Sequence, residues 1–157
     1  MQEIRFDDID GLRSKISEEF GEWGPDVAVT QEMINKFAEL TGDHQWIHVD
    51  VERCKRESPF GTTIAHGYLT LSLLPQFSYA TIVIREKFRM TINYGCNKVR
   101  FMSPVKCGAR IRNRYTLRDV TAVEGGWQTR WQVTVEIEGQ SKPACVAETL
   151  SRYYTIC

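Results

Sequence analysis

The chain has 157 residues, enough for one domain with an enclosed core. Hydrophobic residues make up 42% and charged residues 25% of it, as in an ordinary globular protein. The 20 basic and 20 acidic side chains balance, which argues against nucleic acid or an anionic membrane as a partner.

The sequence has neither the pattern of a membrane or signal segment nor a cysteine pattern typical of disulfides. No segment approaches the roughly 18 consecutive apolar residues of a membrane helix, and the acidic amino terminus does not resemble a signal peptide. The five cysteines are widely spaced and form no CxxC motif, which is typical of reduced thiols. We therefore expect a single domain over residues 1–157, with residues 1–25 as an N-terminal extension, located in the cytoplasm.

The first half of the chain carries helical patterns. Apolar residues spaced along residues 7–20 predict an amphipathic helix. Thr30 is a suitable N-cap for a second helix over residues 31–40, which Gly42 would end as a left-handed C-cap. A third helix is expected over about residues 68–80. It is apolar on nearly every side and should therefore be buried.

The second half alternates between apolar and polar residues, which predicts antiparallel strands with one face toward water. The expected strands cover residues 88–94, 97–105, 109–120, 127–138 and 144–154, with Gly95 between the first two. One buried helix followed by several long strands indicates an α+β domain whose curled sheet wraps around that helix. A single sheet with one apolar helix leaves edges and faces of the sheet uncovered. A second copy of the chain could cover them, so we expect a homodimer.

The three histidines of the chain, His44, His48 and His66, lie within 23 positions of one another. Asp43 precedes His48 by five residues, in a loop that follows the second helix. If the loop curls, the carboxylate and the imidazole can reach one water molecule, and such a pair can both remove and donate a proton. A purely structural role for these side chains is the alternative. Zinc binding by His44 and His48 is disfavoured because Gly42 ends the helix before them, so we expect no metal.

A second element is the segment over residues 61–68, which enters the third helix through His66 and Gly67. The first amides of a helix have no partner within the helix. The amide of Gly67 or Tyr68 could therefore donate to a thioester carbonyl and stabilise the enolate that forms during addition of water. Close packing at the helix start would explain the glycine equally well.

These motifs resemble a known family. The run Leu40-Thr-Gly-Asp-His-Gln-Trp-Ile-His-Val-Asp50 resembles the hydratase-2 motif of the MaoC-like dehydratases, and residues 61–75 resemble that family's entry into its central helix. With residues 92–95 and 98–101, the similarity is greatest to the nodulation-protein-N-like branch, and it spans roughly residues 27–154. Two departures stand out: Gln45-Trp46 replaces a common Asn-Pro, and Pro75 stands where some hydratases carry a serine, with Ser72 three residues earlier.

The resemblance implies a hotdog fold, a homodimer and reversible addition of water to trans-2-enoyl thioesters of coenzyme A or acyl carrier protein, giving (R)-3-hydroxyacyl products. It implies that Asp43 and His48 hold the water, that the Gly67 amide binds the thioester oxygen, and that no cofactor takes part. Further substrate-binding candidates are Trp46, His66, Tyr68, Asn93 and Tyr94. Basic residues such as Lys98, Arg100 and those of strand 109–120 could contact coenzyme A phosphates.

Two other functions remain open at this point. The hotdog fold also hosts thioesterases, in which Asp43 would activate water at the carbonyl carbon, although the Asp–His pair argues against that chemistry. The chain could also be a non-catalytic subunit that binds acyl-CoA or another protein. The presence of acid, base and helix-entry glycine together favours the hydratase.

Overall fold

The computed structural model describes residues 2–77, 82–85 and 90–155. Five strands form one antiparallel sheet in the order β2-β5-β6-β7-β4, and a short parallel pair joins β1 to β3. The strands are β1 (Gln2–Arg5), β2 (Val27–Ala28), β3 (Ile82–Arg85), β4 (Met90–Phe101), β5 (Arg110–Val123), β6 (Gly126–Ile137) and β7 (Cys145–Tyr154). The helices are α1 (Ile9–Arg13), α2 (Gln31–Thr41), α3 (Trp46–Val49), α4 (Val51–Glu57) and α5 (Gly67–Ser72), followed by a 3-10 turn at Leu74–Gln76.

The apolar segment that begins with α5 packs against the inner face of the sheet. Leu69, Leu73 and Phe77 share one buried cluster with residues of β5, β6 and β7, among them Ile111 and Val135. Burial of this segment removes apolar surface from water and holds the helix inside the curled sheet. The expected hotdog arrangement of a curled antiparallel sheet around a helix is confirmed.

The central helix is shorter than predicted. It ends at Ser72 and not near residue 80, because Pro75 lacks an amide hydrogen and its ring cannot follow a continued α-helix. The chain continues instead through the 3-10 turn to Phe77, which is buried. Residues 78–80 of the predicted helix lie outside the described residues.

The predicted first helix over residues 7–20 is also wrong beyond Arg13. After α1 the amides of Ser17, Gly21 and Gly24 donate to carbonyl oxygens of β5, so the chain runs along that strand in place of a helix. Tertiary hydrogen bonds here override local helical periodicity. The second helix is confirmed with its Thr30 N-cap and its Gly42 C-cap.

Two expected strands, 88–94 and 97–105, form a single strand, β4. The register against β7 shifts on either side of Gly95, which is how a β-bulge absorbs a residue without ending the strand. Residues 88–89 lie outside the described residues, and the strand ends at Phe101. The three later predicted strands correspond to β5, β6 and β7. No helix in the described ranges is long and apolar enough to cross a membrane, and the division into one domain with an N-terminal extension stays a prediction.

Candidate active site

The Asp43 side chain is placed by the end of α2. Gly42 adopts the left-handed conformation with φ of 77°, and its amide donates to the Ala38 carbonyl. A residue other than glycine would be strained there, so Gly42 ends the helix sharply and directs the chain toward α3. The Asp43 carboxylate accepts a hydrogen bond from the Gln45 amide at 3.3 Å.

His48 lies on α3 and is buried, with 7% of its surface exposed. Its Nδ1 lies 2.7 Å from the carbonyl oxygen of Ile64. Because a carbonyl only accepts, Nδ1 carries the proton in the neutral ring, and the lone pair of Nε2 is left available to act as a base. The backbone of His48 is held as well, since Gln31 Nε2 donates to the His48 carbonyl at 2.8 Å.

His66 stacks on His48 with 3.8 Å between the ring centroids and 25° between the planes. Its Nε2 lies 2.9 Å from the Asp43 carbonyl oxygen and therefore carries the proton. The same nitrogen is 3.9 Å from Oδ2 of the Asp43 carboxylate. His66 Nδ1 is buried and makes no hydrogen bond to any described residue. His66 thus ties the loop that bears Asp43 to the start of α5.

Asp43, His48 and His66 converge on a small space. One carboxylate oxygen of Asp43 and one ring nitrogen of each histidine all lie within 4.8 Å of one another. A water with hydrogen bonds of about 2.8 Å to both Asp43 and His48 fits such a gap. The carboxylate is 55% exposed in the single chain, so its own chain leaves it largely open to solvent.

Burial controls the protonation of His48. Removal from water lowers the pKa of His48 below its ordinary value of 6.5, and the neighbouring His66 lowers it further. The hydrogen bond to Ile64 and the charge of Asp43 act in the opposite direction but are outweighed overall. His48 is therefore neutral at physiological pH, the form that can accept a proton.

Gly67 is the first residue of α5 and follows His66 directly. Its amide has no hydrogen-bond acceptor among the described residues, as expected for the first turn of a helix. A side chain at Gly67 would collide with the Phe101 ring, since an added Cβ would lie 2.6 Å from Cδ2 of that ring. The glycine therefore permits the close approach of β4 and leaves a free donor beside the two histidines.

A cavity of about 590 Å³ lies between the α5 segment and the sheet. Its apolar wall comes from Leu71, Leu74, Phe77, Trp131 and Val133. Leu71 follows Gly67 by four residues on α5. It therefore lies about 6 Å further along the helix axis and on the same face of the helix. The cavity volume is typical of small-molecule sites, which span roughly 300–1,000 Å³.

The remaining substrate-binding candidates lie in different surroundings. Asn93 lines the cavity, whereas Tyr94 is half exposed and has the Arg152 guanidinium 3.3 Å from its ring centre. Trp46 packs under Arg53, and Tyr68 is 69% exposed with its ring edge against Phe101. The structure thus brings Asp43, His48, His66 and Gly67 together and places Asn93 in the cavity that Leu71 lines.

Most basic side chains of β5 already have partners. Arg110, Arg112 and Arg118 form ion pairs with acidic side chains, and Arg114 stacks on Trp23. These contacts make them weaker candidates for coenzyme A phosphates than the sequence alone suggested. Each of the two histidines already has one ring nitrogen engaged by a backbone carbonyl oxygen. A metal at the Asp43–His48–His66 group could therefore bind only the other nitrogen of each ring.

Sequence reasoning missed two residues near the site. Gln31 accepts a hydrogen bond from the Thr63 hydroxyl and donates one to the His48 carbonyl. Nothing in the sequence indicated this role. Asn113 lines the cavity from β5 and is 2% exposed. A polar residue at an inward position of an otherwise apolar strand face was the available signal for Asn113.

Residues 17–139 match the family model of the MaoC like domain. The chain belongs to the MaoC-like family. It is 46% identical over 151 residues to the 3-hydroxyacyl-thioester dehydratase Z of Mycobacterium tuberculosis. This alignment covers 94% of this chain and 97% of the relative. It is also 42% identical over 154 residues to Nodulation protein N of Rhizobium meliloti, which covers 96% and 92%.

Among solved structures, the R-hydratase PhaJ1 from Pseudomonas aeruginosa superposes with a TM-score of 0.68. The match covers 88% of this chain and 83% of that one at 20% sequence identity. At this identity the likeness shows a common fold. The expected family and its hotdog architecture are both confirmed.

Proposed function

We propose that this MaoC-like protein is a hydro-lyase that reversibly adds water to trans-2-enoyl thioesters and forms (R)-3-hydroxyacyl thioesters. The observation that carries the proposal is the orientation of His48. Its Nδ1 is fixed on the Ile64 carbonyl, which leaves Nε2 unprotonated, and a ring nitrogen of His48 lies within 4.8 Å of an Asp43 carboxylate oxygen. The similarity to a 3-hydroxyacyl-thioester dehydratase over nearly the whole chain supports the same reaction.

In the hydration direction, Asp43 and His48 hold the water, and the pair takes one proton from it as its oxygen bonds to C3 of the substrate. The electron pair of the double bond moves toward the carbonyl, so negative charge develops on the thioester oxygen. The Gly67 amide donates a hydrogen bond to that oxygen, which stabilises the enolate more than the neutral carbonyl. C2 then takes a proton from the pair, so that water has been added and no group is consumed.

The substrate carrier and the assembly are further parts of the proposal. The acyl group enters the cavity, while the coenzyme A arm or acyl carrier protein stays outside. The chain acts as a homodimer, because β4 is an edge strand with large exposed apolar side chains that a second copy would cover. We propose no metal or redox cofactor, since the acid, the base and the oxyanion donor are all protein groups. Free thiols at Cys54, Cys96, Cys107 and Cys145 agree with a cytoplasmic location.

The test replaces the two acid–base residues separately. Asp43→Asn and His48→Ala should each lower the rate of hydration of a short trans-2-enoyl-CoA by roughly 10²–10⁴-fold, the usual contribution of a positioned acid or base. His44→Ala is the matched control, because His44 is exposed and adjacent in sequence but outside the group. Loss of enoyl absorbance measures the rate, with and without EDTA, and circular dichroism checks that each variant is folded.

The outcomes separate the alternatives. Full activity in both acid–base variants would disprove the mechanism, and loss of activity on chelation would disprove the metal-free proposal. Release of free thiol without hydration would identify a thioesterase. Tight acyl-CoA binding without turnover at any chain length would identify a binding subunit.

A further inference from the structure

The cavity beside α5 is not uniformly apolar. Opposite the wall formed by Leu71, Leu74 and Phe77, the sheet contributes polar side chains to its lining. Asn113 of β5 is the most buried of them, and Thr149 and Ser151 of β7 lie in the same lining. A pocket for a plain hydrocarbon chain would gain nothing from these groups, since each must lose water when the chain enters.

The Asn113 carboxamide stands out because the described part of the chain leaves its oxygen without a hydrogen bond. Asn113 is 2% exposed, and its Oδ1 is buried without a partner in the described parts of the chain. Its own backbone is well fixed, because β5 pairs with β6 at this point and the Asn113 carbonyl accepts from Gly24 at 2.7 Å. Buried polar atoms without partners are rare in folded proteins, and they are costly unless a ligand or water completes them.

We propose that Asn113 is a specificity-determining residue that selects acyl chains bearing a hydroxyl group beyond the reacting double bond. A hydroxyl can donate to Oδ1 and also accept from the amide nitrogen, so it satisfies the carboxamide in either orientation. An unsubstituted chain of the same length leaves Asn113 desolvated and unpaired. Sites with unmet hydrogen-bonding groups discriminate strongly against analogues that lack the matching group.

The position of the cavity suits this selection. The inference rests on the proposed hydratase function, in which the thioester carbonyl binds at the Gly67 amide. From there the acyl chain would follow the face of α5 past Leu71 into the cavity, toward the sheet wall that holds Asn113. The contact would lie beyond the C2–C3 bond and so would affect the choice of substrate without taking part in the chemistry.

The experiment compares matched enoyl-CoA pairs on the intact protein. Each pair has the same chain length, with or without one hydroxyl, and the hydroxyl is moved along the chain one carbon at a time. We expect kcat/KM to favour the hydroxylated member by roughly 5- to 100-fold at one position. Asn113→Leu, which keeps the branched shape but removes the polar group, should abolish or reverse that preference. Thr134→Val, on the outward face of β6, should keep it.

The readouts keep this inference separate from the hydratase function itself. If no enoyl-CoA is hydrated, the proposed function fails. If plain and hydroxylated substrates are hydrated equally at every position, the hydratase stands and the role of Asn113 is refuted. A preference that persists in Asn113→Leu also refutes it. Should that variant not fold, Asn113→Ser, which is too short to reach the same group, must lose the preference.

Discussion

At the scale of single residues, the site depends on which nitrogen of each imidazole is free. The Ile64 carbonyl engages Nδ1 of His48, and the Asp43 carbonyl engages Nε2 of His66. Two backbone oxygens therefore fix two tautomers, which leave Nε2 of His48 and Nδ1 of His66 unprotonated. Hydrogen bonds from backbone groups are well suited to this task, because they do not titrate.

The pH dependence of His48 gives a direct test. Because burial disfavours the charged ring, the folded protein binds this proton less readily than the unfolded chain. Above pH 6.5, the ordinary pKa of histidine, His48 contributes its full share to stability. As the pH falls toward the lower pKa of folded His48, the unfolded chain takes up this proton first, and the free energy of unfolding decreases. Activity that needs the neutral base should follow the same direction, with its acid limb below 6.5.

Titration by NMR measures this pKa without relying on turnover. The chain has three histidines, so single replacements assign each ring signal. We expect the His48 signal to titrate below 6.5, because burial disfavours the charged ring. A His48 midpoint at or above 6.5 would show that the hydrogen bond to Ile64 and the charge of Asp43 outweigh burial.

At the scale of elements, the site lies where α2, α3 and the segment before α5 meet. Gln31 in the first turn of α2 donates to the His48 carbonyl and accepts from the buried Thr63 hydroxyl. One side chain thus fixes three pieces of the chain around His48. Gln31 touches no reacting group in the proposed mechanism and is a positioning residue.

Replacement of Gln31 should affect catalysis more than substrate binding. Gln31→Met keeps the length of the side chain but leaves the His48 carbonyl and the Thr63 hydroxyl without partners, which costs about 1–3 kcal/mol per buried group. We expect kcat to fall by roughly tenfold or more with little change in KM, because misplacement of His48 raises the barrier. Gln31→Glu keeps the acceptor for Thr63 but sets a second acceptor against the His48 carbonyl, so kcat should stay low.

The control for this prediction is Gln140→Met, since Gln140 is exposed in the turn between β6 and β7. It should leave both kinetic constants unchanged. Equal losses in kcat and stability, or a recovery of kcat in the glutamate variant, would mean that Gln31 does not position His48.

The elements that the sequence predicted well have strong local signals. The α2 helix has both a cap at Thr30 and a left-handed stop at Gly42, and β6 alternates over its whole length. Residues 14–20 carried a helical spacing that was misleading, because the chain from Ser17 onward hydrogen-bonds to β5, about a hundred residues away. The grouping of Asp43 with His48 followed from their spacing, but the stacking of His66 and the role of Gln31 depend on tertiary contacts that spacing does not encode.

At the scale of the whole molecule, β4 is a long edge strand of the sheet. It pairs with β7 on one side and with no other described strand. Exposed apolar side chains cluster on and beside it: Tyr68, Met90, Ile92, Tyr94, Phe101 and Met102. A long edge strand with this much exposed apolar surface invites pairing, and a second copy of the same edge satisfies both its hydrogen bonds and its apolar groups.

The homodimer can be tested with two matched isoleucines. Ile92 on β4 is 41% exposed and Ile16 in the N-terminal segment is 43% exposed, so an arginine at either position meets a similar degree of solvation in the single chain. In a two-fold dimer through β4, Ile92→Arg introduces two like charges at one interface and should shift the protein toward monomer. Ile16→Arg should leave the dimer intact. Sedimentation velocity at several protein concentrations measures both, and a wild-type monomer, or equal behaviour of the two variants, would exclude β4 as the interface.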